Sequence, residues 1–232
     1  MTKDTIYIGI DEIKTKSPVF NTEKVFVFDV DETLYSFDCK MQDLLAILPV
    51  ECIRNKKILQ NTDDIYTEYS KKYGIALRGY IADKLITPDE YIDAIAKIDY
   101  KKELQGEISL RDHLDKIPYN KICFSNSVDT HVKSTLKFLN LDGCFDYVVC
   151  ANIYSDEIIC KPMEESYTQV EKLIGIENRK NIIFFDDMLK NIEQARKRGW
   201  TTYHVQKENI LKDILSEIIQ EKENEERYLI GE

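Results

Sequence analysis

The sequence contains no apolar run long enough to cross a membrane, and none of its six cysteines stands in a C-x-x-C pair. A transmembrane helix needs about 20 consecutive apolar residues, so we expect no membrane partner. Because several cysteines lie inside apolar runs, as Cys123 and Cys150 do, we expect buried free thiols in a reducing compartment rather than a zinc site. The N-terminus lacks a basic region followed by an apolar stretch, which predicts a cytoplasmic or nuclear protein without a secretory signal.

Basic residues are outnumbered, with 32 Lys and Arg against 42 Asp and Glu and a formal net charge of −10. This excess of negative charge argues against a nucleic-acid polymer or an anionic membrane as the main partner. A small anionic substrate remains compatible with it, because a bound cation and one lysine can reverse the local potential. At 232 residues the chain can form one large domain or a domain with an insertion, and we expect a monomer or homodimer.

Residues 25–28 form an apolar run, Val-Phe-Val-Phe, that leads directly into acidic residues. Four consecutive β-branched or aromatic residues are typical of a strand buried on both faces. Asp29 and Asp31 follow it, then Thr33, and ligands of α/β proteins bind at the carboxyl ends of such strands. Two carboxylates placed there must be neutralised, most simply by a divalent cation. The alternative is a strand that ends in an acidic, solvated turn.

Apolar residues recur with helical period from Phe37 to about Ile117, and after that point short apolar runs alternate with helical segments. Helix starts are predicted at Asn61 or Thr62, at Thr87-Pro88-Asp89-Glu90, and at Ser109 with Asp112. Strands are predicted at 25–28, 121–124, 147–150, 182–185 and 201–205. This alternation predicts an α/β fold with a mostly parallel sheet of about five strands and right-handed crossovers.

Both ends of the chain carry weaker signals. Residues 5–10 alternate like a short strand, either at a sheet edge or in a hairpin arm. From about Lys207 the pattern predicts an acidic amphipathic helix. We expect this helix to pack against the core, and a partner-binding helix is the alternative.

Polar side chains follow three of the predicted strands, and the carboxyl ends of parallel strands meet at one edge of a sheet. We therefore expect these side chains to converge with a lysine from a nearby loop. They are Asp29 and Asp31, Ser125 and Asn126, Asp186 and Asp187, and Lys161. Carboxylates of this kind suit Mg²⁺, whereas the serine hydroxyl and the lysine ammonium are donors that can bind a phosphate. A carboxylate oxygen beside a metal-bound phosphate can act as a nucleophile.

These segments, Asp29-Val-Asp-Glu-Thr33, Ser125, Lys161 and Asp186-Asp187, resemble the four motifs of haloacid dehalogenase-type phosphohydrolases, in the family's order. The resemblance spans roughly residues 24–205 and implies a Rossmann-like α/β core. It implies that Asp29 attacks phosphorus to form an aspartyl-phosphate. It further implies that Asp31 protonates the leaving oxygen and then activates water, work that calls for a raised pKa. Dehalogenases of the family lack an acid at the position of Asp31, which disfavours dehalogenation.

The same resemblance implies the binding roles. Mg²⁺ would be held by Asp29, by the backbone carbonyl of Asp31 and by Asp187, with Asp186 acting through water. The phosphoryl group would be bound by Ser125, Asn126 and Lys161. Asn191 resembles a family position that supports the acidic loop, and simple surface exposure is the alternative.

The helical stretch resembles the family's small helical cap, which places the core at residues 1–36 and 118–232 and the cap at 37–117. Within it, residues 69–79 (Tyr-Ser-Lys-Lys-Tyr-Gly-Ile-Ala-Leu-Arg-Gly) are similar to the cap of fungal-type pyrimidine 5′-nucleotidases. Tyr73 and Arg78 are the candidate specificity residues. Tyr73 could instead belong to an apolar stripe, and Arg78 could instead pair with a cap carboxylate.

Together these features predict a Mg²⁺-dependent phosphomonoesterase that acts on nucleoside 5′-monophosphates, with pyrimidine nucleotides preferred. Its partner would be a small phosphate monoester. Two alternatives remain open at this stage. One is a phosphatase of another small ester, such as a sugar phosphate, pyridoxal phosphate or lysophosphatidate, since fold does not determine substrate. The other is a regulatory protein that keeps the fold without catalysis.

Overall fold

Six parallel strands form one sheet in the computed structural model of the chain, which describes residues 4–13, 20, 23–56, 63–104 and 109–230. The strands are β1 (Ile6–Gly9), β2 (Val25–Phe28), β3 (Asn120–Phe124), β4 (Tyr147–Cys150), β5 (Ile182–Asp186) and β6 (Thr201–His204). Their order in the sheet is β1-β4-β3-β2-β5-β6, and every neighbouring pair is parallel. Strand β2 therefore lies inside the sheet, between β3 and β5.

Helices connect these strands. The described residues contain α1 (Met41–Asn55), α2 (Asp63–Tyr73), α3 (Ala76–Ala82), α4 (Pro88–Ile95), α5 (Tyr100–Glu103), α6 (Arg111–Asp115), α7 (Asp129–Phe138), α8 (Glu164–Ile174), α9 (Leu189–Lys197) and α10 (Leu211–Ile230). Helices α1–α6 all lie between β2 and β3 in the sequence. Among the described residues, no helix combines the length and the apolar character needed to cross a bilayer.

The sheet is covered on both faces, as expected for parallel strands with apolar runs. On one face Phe28 stacks on Phe185 at 4.8 Å, and this cluster includes side chains of α5, α6, α7 and α10. On the other face Val27 and Phe184 pack against α8 and α9. All four residues of β2 are buried, so the strand presents apolar side chains to both layers and leaves only its end for polar chemistry.

The α/β fold with a parallel sheet confirms the prediction, although the sheet has six strands rather than about five. The sixth is β1, which pairs in parallel with β4 and so forms an edge strand, not a hairpin arm. The predicted start of α4 is confirmed, because Thr87 and Glu90 form the capping box ahead of Pro88. Asn61 and Thr62 lie outside the described residues.

The inserted helices pack in two groups. Helices α1, α3 and α4 share a hydrophobic cluster with Val128, Ala151, Ile153 and Ile158 from the sheet side. In contrast, Tyr100 of α5 and Leu114 of α6 belong to the cluster on one face of the sheet. The predicted division into a core (residues 1–36 and 118–232) and an inserted cap (residues 37–117) stays a prediction. All six cysteines are free, and Cys123, Cys144, Cys150 and Cys160 are buried.

Candidate active site

The ends of β2, β3 and β5 bring the predicted polar residues together at one edge of the sheet. The pairing continues for one residue beyond β2, because the Asp29 amide donates to the Phe185 carbonyl at 2.9 Å. The Ser125 amide donates in the same way to the Val149 carbonyl at 2.9 Å. Asp186 is the last residue of β5. The strand register thus places the three polar segments side by side.

A buried lysine joins two of these segments. Lys161 Nζ lies 2.6 Å from Asp29 Oδ1 and 2.7 Å from Asp186 Oδ2, and the lysine side chain is only 1% exposed. Burial alone would lower the pKa of this lysine, but the two carboxylates outweigh it and raise the pKa above its ordinary value. The ammonium also lies over the ring of Phe124, 5.0 Å from its centroid. Lys161 is therefore held as a cation within the core.

Asn126 determines where that lysine lies. Its side-chain Oδ1 accepts from the Lys161 amide at 2.7 Å, and its Nδ2 donates to the Lys161 carbonyl at 2.9 Å. This reciprocal pair links the end of β3 to the loop before α8. The preceding residue, Ser125, is buried. Its Oγ accepts a hydrogen bond from the Ser127 amide at 3.0 Å.

Asp186 is fully buried and its carboxylate is saturated by donors. Besides Lys161, the Met188 amide donates to it at 2.8 Å, and Asn191 Nδ2 donates to both of its oxygens at 2.9 and 3.1 Å. Asn191 is itself buried, so the structure places it in support of the acidic loop and not at the surface. Asp187, the next residue, is only partly buried and faces the cavity.

The carboxylates of Asp29, Asp186 and Asp187 can each offer an oxygen within 4.8 Å of the other two. Burial, as the largest cause, and the negative charge of Asp186, as the second, raise the pKa of Asp187 to about 7. Burial also raises the pKa of Asp29 well above its ordinary value, although Lys161 opposes that shift. One ammonium does not offset three clustered carboxylates, and hard oxygen ligands at this spacing fit a divalent cation such as Mg²⁺.

Asp31 lies in a separate cradle of three donors. Tyr35 Oη and His131 Nε2 each lie 2.8 Å from its Oδ1, and Ser127 Oγ lies 2.6 Å from its Oδ2. Burial would raise the pKa of Asp31, but the charge of His131 and the hydrogen bonds from its three partners lower it to about 2. This direction is opposite to the raised pKa expected of a proton donor, because donors to a carboxylate favour its ionised form.

A cavity of about 280 Å³ opens over these groups. On the sheet side it is lined by Asp29, Asp31, Asn126, Ser127, Lys161, Asp187 and Lys190. On the side of the inserted helices it is lined by Gln42, Leu45, Tyr66, Ser70, residues 74–77 and Tyr91. The site is thus shared between the carboxyl edge of the sheet and helices α1, α2, α3 and α4.

The two candidate specificity residues do not line this cavity. Tyr73 stacks on Tyr69 with ring centroids 5.6 Å apart, and both rings lie against Gly79 of α3. Arg78 forms an ion pair of 3.1 Å with Glu157. This carboxylate belongs to the loop after β4 and not to the inserted helices. Their role in specificity remains a prediction.

Ser127, His131 and Lys190 belong to the site but were not among the residues predicted from the sequence. Ser127 directly follows the predicted site residue Asn126, and this position is its only hint. His131 lies on α7, 100 residues from the aspartate that it contacts. Lys190 donates from Nζ to the Gly74 carbonyl at 2.9 Å, and both residues line the cavity. Such contacts depend on how distant segments pack, which periodicity does not encode.

The chain is similar in sequence to known proteins. The model of the haloacid dehalogenase-like hydrolase family matches residues 23–199. Phosphate metabolism protein 8 of Saccharomyces cerevisiae is 28% identical over an alignment of 196 positions, which covers 76% of this chain and 59% of that protein. The chain therefore spans less than two thirds of the length of this relative.

Two solved structures share the fold. One is a predicted phosphoglycolate phosphatase from Haemophilus somnus, with a TM-score of 0.50 at 18% identity over 80% of this chain and 87% of that one. The other is a dehalogenase, with a TM-score of 0.51 at 18% identity over 86% and 97% of the two chains. At such identities the likeness concerns the fold alone.

Proposed function

The chain belongs to the haloacid dehalogenase-like hydrolase family, and from this premise we propose that it is a Mg²⁺-dependent phosphomonoesterase acting on nucleoside 5′-monophosphates, with pyrimidine nucleotides preferred. The observation that carries the proposal is the convergence of Asp29, Asp31, Lys161 and Asp187 on one cavity. A cation site, a buried ammonium and two distinct carboxylates in a single cleft match the needs of phosphoryl transfer.

Asp29 is the nucleophile in this proposal. One of its oxygens forms a bond to phosphorus while the bond from phosphorus to the leaving oxygen breaks, giving an aspartyl-phosphate. Lys161, 2.6 Å from Asp29 Oδ1, supplies positive charge to the phosphoryl oxygens. Thr33 Oγ1 donates to Asp29 Oδ2 at 3.3 Å, so the orientation of the carboxylate is set from both oxygens.

Asp31 handles the protons. In the first half of the reaction it acts in its protonated form, which is the minor form at its lowered pKa, and gives that proton to the leaving oxygen. In the second half its carboxylate takes a proton from the water that attacks the aspartyl-phosphate, which releases inorganic phosphate and regenerates Asp29. The three donors around Asp31 favour the ionised form that this second half requires.

The metal would be held by the carboxylates of Asp29 and Asp187 and by the backbone carbonyl of Asp31. Bound there, Mg²⁺ supplies positive charge that offsets the charge of the phosphate ester. Asp186 would act through water, which agrees with the saturation of its oxygens by Lys161, the Met188 amide and Asn191.

Two features support a nucleotide as the substrate. Tyr66 and Tyr91 line the cavity opposite the carboxylates and can contact an aromatic base, and Gln42 offers both a donor and an acceptor to its polar edge. Residues 69–79, similar to the cap of fungal-type pyrimidine 5′-nucleotidases, form the end of α2, the link at residues 74–75 and the start of α3. Residues 74–77 of this segment line the same cavity.

The test is phosphate release from UMP, CMP, AMP, GMP, ribose 5-phosphate and pyridoxal phosphate, with and without Mg²⁺. We expect Mg²⁺-dependent release that favours UMP and CMP, and we expect Asp29→Asn, which has no nucleophilic carboxylate, to abolish it without loss of fold. Release from non-nucleotides only would keep the chemistry and overturn the nucleotide assignment. Absence of release with Mg²⁺ bound would favour a regulatory role.

A further inference from the structure

His131 is a fully buried ionisable side chain that the proposed chemistry does not use. Both of its ring nitrogens have polar partners. Nε2 lies 2.8 Å from Asp31 Oδ1, and Nδ1 lies 2.9 Å from the hydroxyl of Tyr100 on α5. A buried imidazole with two such contacts is fixed in orientation, and one of the contacts is to the residue that handles protons.

The chemistry of Asp31 determines the direction of the first hydrogen bond. An ionised carboxylate only accepts, so Nε2 carries the proton that it shares with Asp31. The Tyr100 hydroxyl donates to Nδ1 when the ring is neutral and accepts from Nδ1 when the ring is charged. In either case Tyr100, His131 and Asp31 form one continuous hydrogen-bonded series.

Tyr100 is itself held in place. Its ring stacks on Phe138 of α7 with centroids 6.2 Å apart and planes within 5°, and it lies 5.5 Å from the imidazole. Tyr100 also belongs to the hydrophobic cluster on one face of the sheet. The hydrogen-bonded series of Tyr100, His131 and Asp31 thus begins on a segment separate from β2 and from α7.

We infer that His131 is a positioning residue for Asp31 and that Tyr100 fixes the orientation in which His131 acts. The inference rests on the proposed function and deepens it. Held by His131 and Tyr35 on Oδ1 and by Ser127 on Oδ2, the carboxyl group of Asp31 keeps one orientation toward the leaving oxygen. Without the hydrogen bonds that join Tyr100, His131 and Asp31, Asp31 is still present but is misaligned for proton transfer.

The leaving group provides a readout that a purely structural role would not move. The p-nitrophenolate ion is stable at neutral pH and leaves phosphorus with little help from an acid. The 5′-oxygen of UMP leaves as an alkoxide unless it is protonated. Because kcat/KM covers the steps up to leaving-group departure, weaker proton donation lowers kcat/KM for UMP more than for p-nitrophenyl phosphate.

The experiment compares kcat/KM for both esters in Tyr100→Phe, His131→Leu and His131→Gln with the wild type. We expect a loss for UMP of roughly 10- to 100-fold in His131→Leu, a smaller loss in Tyr100→Phe, and a much smaller loss for the aryl ester. His131→Gln, whose amide can donate near the position of Nε2, recovers part of the activity. Tyr80→Phe, which removes a buried hydroxyl that has no partner among the described residues, is the matched control and keeps wild-type rates.

Equal losses for the two esters, or wild-type kinetics in Tyr100→Phe, would overturn the inference while leaving the proposed function intact. Thermal melting of each variant identifies any that fail to fold, and Tyr100→Phe keeps the test open if His131→Leu does not fold. If the wild type released phosphate from neither ester, the proposed function itself would be wrong, and the inference would be overturned with it.

Discussion

Lys161 Nζ lies 2.6 Å from Asp29 Oδ1, although 132 residues separate them and both side chains are buried. The same ammonium lies 2.7 Å from Asp186. One cation thus neutralises part of the negative charge that two β-strands bring to a single point.

Replacing Lys161 by methionine should both abolish turnover and destabilise the fold. Two buried carboxylates then lose their only cation among the described residues, and breaking such a buried pair costs about 3–5 kcal/mol. Urea unfolding measures the loss. Lys133→Met is the matched control, because Lys133 pairs with Asp129 on the exposed face of α7 and such i,i+4 pairs contribute about 0.3–0.5 kcal/mol. Equal losses in the two variants would contradict the prediction.

The pH dependence of stability should change when Mg²⁺ is added. With the pKa of Asp187 raised to about 7, the folded state binds more protons than the unfolded state between about pH 4 and pH 7. This group therefore makes the free energy of unfolding fall as pH rises through that window, and Mg²⁺ should remove the fall by favouring the ionised carboxylate. Urea unfolding at about pH 5 and about pH 7.5, with EDTA or MgCl₂, measures it.

Asp187→Asn provides the control for that experiment. The variant should lose the part of the pH slope that arises from this residue and should gain less stability from Mg²⁺ than the wild type does. A wild-type slope in EDTA that Asp187→Asn leaves unchanged would show that another group carries the effect.

Gly79→Ala should destabilise the pair of helices α2 and α3. A Cβ at this position would lie 1.9 Å from Tyr69 Cδ1 and 2.6 Å from Tyr73 Cδ2. Overpacking of this kind costs about 1–3 kcal/mol, which outweighs the gain of up to about 1 kcal/mol that alanine offers within a helix. Thermal unfolding measures the difference. Adding Tyr69→Ala makes room for the methyl group, so the double variant should lose less than the sum of the two single losses.

Lys190 and Arg78 should differ in their effect on KM. Lys190 lines the cavity and donates to the Gly74 carbonyl, so Lys190→Met should raise KM several-fold with a smaller change in kcat. Arg78 pairs with an exposed glutamate outside the cavity, and an exposed ion pair contributes about 0–1 kcal/mol. Arg78→Met should therefore change KM less than Lys190→Met. A larger KM effect in Arg78→Met would support the direct substrate contact predicted from the sequence.

The sequence predicted those helices and strands whose own residues show a clear local pattern. The apolar run of β2 and the capping box at Thr87 and Glu90 are of this kind. Residues 5–10 alternate like a strand, but only the sheet shows that β1 pairs in parallel with β4. Helices α5 and α6 share the helical period of the segments before them, yet they pack against the sheet, because periodicity indicates an apolar face and not its partner.

The candidate site divides in the same way. Asp29, Asp31, Asp186 and Asp187 directly follow predicted strands, so topology alone predicts that they meet. The cradle of Asp31 does not follow from any motif. His131 reaches Asp31 from α7, and Tyr100 reaches His131 from α5. An isolated histidine with no ligand spacing gives no hint of such contacts. The same cradle lowers the pKa of Asp31, which the residue type alone could not predict.

Because β2 lies inside the sheet, the residues at its end resist local unfolding more strongly than the helices that form the cavity wall. A strand paired on both sides exchanges its amide hydrogens only when most of the sheet opens, whereas short helices outside the sheet can unfold locally at much lower free energy. Asp29 is anchored by a hydrogen bond to β5, and Tyr66 and Ser70 lie on α2. In the proposed mechanism, the wall that faces the leaving group can therefore loosen while the nucleophile Asp29 stays in place. Substrate range would then change under mutation more readily than the chemistry.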